Sequence, residues 1–85
     1  MKQLETYRVI GSFGEGKIAI SKESQDNSYN ATVIYPQATT LRGDTPHIDY
    51  KHENFNTSDK NTAYERAKKF FHSKYDGKIT ILFEQ

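Results

Sequence analysis

The feature that most narrows what this 85-residue chain can fold into is the segment DKNTAYERAKKFFHSKY at positions 59–75. At a helical repeat, Ala63, Tyr64, Ala67, Phe70, Phe71 and Tyr75 collect within an arc of about 140°, wide enough to be the buried stripe of a helix lying on a sheet. The spacing of Thr62 and Glu65 fits a capping box, and Ser58 or Asp59 can cap an earlier start. Asp76-Gly77 supplies a left-handed residue at the far end.

The remaining segments alternate with a period of two. In TYRVIGSF (6–13), Tyr7, Val9 and Phe13 share one face, with Arg8 and Ser12 on the other. After Gly14-Glu15-Gly16, KIAISK puts Ile18 and Ile20 on one side, so the glycine triplet is expected to be a hairpin connection with Glu15 at its tip. YNATVIY (29–35) aligns Tyr29, Ala31, Val33 and Tyr35 ahead of Pro36. PQATTLRGDTP (36–46) is expected to be a polar loop, and HIDYKH (47–52) a short edge strand with Ile48 and Tyr50 on one face. In KITILFE (78–84), Ile79, Ile81 and Phe83 face one way, and Leu82 on the second face suggests a strand paired on both sides. The expected architecture is α+β. It is one domain over residues 1–85, an antiparallel β-meander of order β-β-β-(β)-α-β with one helix packed across the sheet.

A chain of this length buries roughly 60–65% of its unfolded surface in a single core. Only 34% of the residues are hydrophobic, but six Tyr and five Phe supply large apolar area. The absence of cysteine removes disulfides and thiolate metal sites from consideration. Twelve Lys and Arg against eleven Asp and Glu give a net charge of +1, well short of the basic balance of a protein that lives on phosphate backbones. No stretch approaches the 18 or so apolar residues of a membrane span, and MKQLETYRV has no apolar signal region. A soluble, cytoplasmic protein without membrane contact is therefore expected.

Several short motifs invite chemistry. GSFGEGKI (11–18) places Gly11, Gly16 and Lys17 like a phosphate-binding loop, but such a loop needs a Ser or Thr at the next position and a following helix. Ile18 stands there instead and opens a strand. His47, Asp49, His52 and Glu53 carry metal-ligand chemistry, but strand alternation turns His52 away from His47 and Asp49, so no metal site is expected. Arg42-Gly43-Asp44 spells an adhesion tripeptide with ordinary turn composition. Asn30-Ala31-Thr32 and Asn56-Thr57-Ser58 match the glycosylation sequon, which acts only in secreted chains. No nucleophile elbow or carboxylate pair at helical spacing is present.

The expected function is accordingly a small non-enzymatic binding module that contacts a larger protein, with no cofactor. A stoichiometric inhibitor or accessory subunit has this size, including inhibitors that mobile elements or phages direct at host defence proteins. Arg42, Tyr50, Arg66 and Lys69 are the expected contact residues. A sheet edge offers a route to a homo-oligomer. The alternative is a nucleic-acid-binding module whose modest basic patch combines Arg66, Lys68, Lys69 and Lys74 with Lys17 and Lys22. A metal-dependent enzyme is the third reading.

Overall fold

The computed structural model describes residues 2–39 and 47–84. Among the described residues the elements run β1 (Lys2–Gly11), β2 (Gly14–Lys22), β3 (Tyr29–Thr39), β4 (His47–Thr57), α1 (Lys60–Lys74) and β5 (Thr80–Phe83). The strands form one five-stranded antiparallel sheet of order β4-β3-β2-β1-β5. The expected α+β meander with one helix across it is thus what the chain builds. Its bracketed fourth strand is a full edge strand of 11 residues.

The helix starts where Asp59 stops being extended. One Asp59 carboxylate oxygen accepts the Thr62 N–H at 2.9 Å and the Thr62 hydroxyl at 3.1 Å, satisfying one of the orphan donors of the first turn. At the other end Tyr75 turns extended while its N–H still donates to the Phe71 carbonyl. Gly77, with φ 86, lies beyond that cap and serves the turn into β5.

Packing follows the apolar arc. Ala63, Ala67 and Phe71 are buried on the sheet against Val9, Ile18, Ile20, Ala31, Val33 and Tyr35. The two alanines let the helix axis come close, and rings fill the margins. Phe13 stacks on Tyr75 with ring centroids 3.8 Å apart, Tyr35 and Phe55 lean on Phe70, and Tyr7 sits against Tyr64 at 4.8 Å. The opposite side of the sheet, its open face, carries no helix among the described residues.

Four local expectations are corrected by this structure. The first hairpin turns at Ser12 and Phe13, with Gly11 paired to Gly14, rather than at Gly14-Glu15-Gly16. Neither Ser12 nor Phe13 has positive φ, and the left-handed step falls on Gly14 (φ 114), the first residue of β2. Glu15 is therefore a strand residue opposite Ile10, not a tip.

The start of the expected 36–46 loop is strand as well. β3 runs through Pro36 to Thr39, and residues 40–46 lie outside the described residues. The physical reason is that Pro36 ends one ladder and not the other. Pairing of β3 with β2 stops at Ile34, whereas pairing with β4 continues to Thr39 opposite His47.

β4 extends to Thr57, past the expected end at residue 52. Lastly, β5 pairs only with β1 among the described strands, so Leu82 is not held between two neighbours. It lies 43% exposed on an edge strand.

Candidate functional site

Strand register sorts the open face into rows. His52, Ile34, Lys17, Arg8 and Leu82 are consecutive partners across all five strands. Towards one end the next row is polar, with Asn54, Thr32, Ala19 and Thr6 in line. Here the side chains satisfy one another: the Thr32 hydroxyl donates to Asn54 Oδ1 at 2.7 Å, and Asn30 Nδ2 donates to both.

Towards the other end the face is apolar. Tyr50 lies opposite Pro36 and Ile48 opposite Ala38. Pro36 is buried beside the first hairpin, with its ring near Gly14, whereas Ala38, Ile48 and Tyr50 are exposed. Ile48 and Tyr50 are each 61% exposed, well above Ile10 at 38% on the same face. A shallow depression of about 330 Å³, lined by Glu15, Gly16, Lys17, Ile34 and Tyr50, sits at the base of this end. Beside it, Arg8 Nε donates to Glu15 Oε1 at 2.6 Å and lies 3.9 Å from a Glu84 carboxylate oxygen. That hydrogen bond holds the Glu15 carboxyl below its usual range.

From Pro36 onward, β3 and β4 continue as a two-stranded arm over residues 36–39 and 47–50, paired only to each other among the described residues. At the base of the arm the hydroxyl of Tyr75, the residue that caps α1, donates to the Pro36 carbonyl at 2.9 Å. Burial raises the pKa of that Tyr75 hydroxyl, with the Tyr35 hydroxyl adding to the shift.

A second depression, of about 320 Å³, lies on the helix side between β4 and α1. Phe55, Arg66, Lys69, Phe70 and Ser73 line it. The helical residues are spaced i, i+3, i+4 and i+7, which aligns them on one flank.

The expected contact residues therefore separate. Tyr50 is on the open face, Arg66 and Lys69 come together in the β4–α1 groove, and Arg42 lies outside the described residues. The basic patch does not gather either. Lys17 is on the open face, Lys68 is 3.5 Å from Glu65, and Lys74 Nζ lies 5.4 Å above the Tyr35 ring. His47 and Asp49 approach to 3.7 Å, whereas His52 turns to the open face by register. No group of three or more potential metal ligands converges among the described residues. No helix of the described residues is long and apolar enough to cross a membrane.

Sequence reasoning missed Phe55 and Ile34 as surface-lining groups. Phe55 is a lone aromatic in the polar run ENFNT, placed only by carrying the 51, 53, 55 alternation past the expected end of the strand. No family model matches the chain, and no curated protein or solved structure does either.

Proposed function

We propose that the chain is a non-catalytic protein-binding module that seats the apolar end of its open face, together with the β3–β4 arm, on a larger protein. The observation that carries this reading is the exposure of Ile48 and Tyr50, 61% each, on one face of β4 where, among the described residues, β3 still pairs with β4 but no longer with β2. A two-stranded ribbon is marginal in water on its own, and large apolar side chains on one face of it gain most when another surface covers them. Tyr50 is the anchor, an aromatic ring beside a depression, and Lys17 with the Arg8–Glu15 pair forms a polar rim. A stoichiometric inhibitor or accessory subunit is the form in which such a module acts.

The test is affinity capture from cells in which the chain is native, with quantitative mass spectrometry comparing the wild type with an Ile48→Ser, Tyr50→Ser double variant. Losing two exposed contact residues is expected to reduce specific partners at least about thirtyfold, the equivalent of about 2 kcal/mol at a binding hot spot. The fold is expected to hold, with stability changed by no more than about 0.5 kcal/mol for each exposed substitution. Equal recovery with both proteins would contradict the reading.

A further inference from the structure

We propose that the groove between β4 and α1 takes an extended, acidic peptide segment of a partner protein, added alongside β4 as a sixth strand. The inference rests on the reading of the chain as a protein-binding module and assigns it a second contact, on the other side of the sheet from Tyr50.

Three features meet in this groove. β4 pairs with β3 over all 11 of its residues and has no strand on its other side among the described residues. Alternate residues of such an edge turn their N–H and C=O groups outward, a template that an extended backbone satisfies. The floor is apolar: the half-buried Phe55 and Phe70 rings have centroids 5.9 Å apart. The helix wall is cationic, and its two cations are uncompensated. Lys60 lies 3.6 Å from Glu5, Lys68 lies 3.5 Å from Glu65 and Arg8 is bonded to Glu15, whereas exposed Arg66 and Lys69 have no carboxylate within ion-pair distance among the described residues.

Side chains of an added strand point into the groove at every second position. The geometry therefore selects one large apolar residue over Phe55 and Phe70, with an acidic residue two positions away for Arg66 or Lys69. A guanidinium and an ammonium at the margin of an apolar floor are suited to carboxylates. A nucleic-acid strand fits less well, because a phosphate chain offers only acceptors and leaves the outward carbonyls of β4 without donors, whereas a peptide backbone supplies both. A second copy also fits less well. Two-fold pairing of β4 with itself keeps both helices on one face and turns both sets of Arg66 and Lys69 toward the same seam.

The probe is a fluorescein-labelled nonapeptide with Phe at its centre, Glu two residues to either side, and Val and Thr between, followed by anisotropy and by amide shifts of 47–57. The expected result is saturable binding, at least tenfold tighter than that of the same peptide with Lys in place of Glu. Arg66→Glu with Lys69→Glu is expected to reverse that preference while circular dichroism and Tm stay unchanged. N-methylation of alternate peptide residues is expected to abolish binding, since it removes the donors that pair with β4. Tyr50→Ser is expected to leave peptide affinity unchanged, which separates failure of this groove from failure of the open-face reading. Equal affinity for the acidic and basic peptides, indifference to the charge reversal, displacement by a single-stranded oligonucleotide, or a β4-paired dimer in sedimentation would each overturn the proposal.

Discussion

Gly16 lies directly under the Phe71 ring of the helix. A Cβ placed there would stand 2.7 Å from the Ile34 carbonyl oxygen and 3.0 Å from the Phe71 ring, which is itself fully buried. The glycine is needed for space rather than for backbone freedom, unlike Gly14 with its positive φ. Gly16→Ala is expected to lower stability by about 1–3 kcal/mol in urea denaturation, the range for overpacking a filled core.

Tyr7 makes a different test at this scale. Burial first, then the negative charge of Glu5, pushes its pKa from 10.0 up to about 12. Well below pH 10 both states keep the Tyr7 proton. Between about 10 and 12 the unfolded chain releases the Tyr7 proton and the folded one keeps it, so stability contributed by neutral Tyr7 is lost as pH rises through that window. Thermal melts should show the wild type losing more stability than Tyr7→Phe over the window; parallel losses would contradict the assignment.

Among the elements, α1 was the most legible in the sequence, because its apolar arc and its cap are both local signals. Asp59→Ala removes the side chain that accepts from Thr62 and is expected to cost about 1 kcal/mol in chemical denaturation, with Asp59→Asn retaining most of the stability. The central strands were legible for a related reason: each has one buried face, and alternation records it.

Both edge strands could be read from the sequence, but the full extent of β4 could not. β4 is half-buried only at Phe55 and Thr57 and exposed elsewhere, so its sequence alternates nothing that burial would impose. Pro36 read as a terminator because proline cannot donate to a ladder, yet the side of β3 that faces β4 did not need that donor for pairing to continue. The first turn was displaced because three glycines within 11–16 offered the same signal, and close packing of Phe71 on Gly16 decided which one stayed inside the sheet.

At the scale of the whole molecule the fold is elongated. The radius of gyration is 14.2 Å and the long dimension is 48 Å, against a radius of about 12 Å for a compact chain of this length. The candidate contacts were only partly legible in the sequence. Tyr50, Arg66 and Lys69 could be picked out by residue type. Their division between two sides of the sheet depends on strand register and helix placement, which no short segment encodes.

A helix-covered core of β1, β2 and the adjoining part of β3 carries a two-stranded arm with less support than the core. Amide hydrogen exchange of the isolated monomer, resolved by residue, tests it most directly. The slowest exchange is expected in residues 6–9, 17–20 and 31–34, and markedly faster exchange in 37–39 and 47–50. Arm amides protected as strongly as those of the central strands would contradict it, since they would show the ribbon to be fully supported within its own fold.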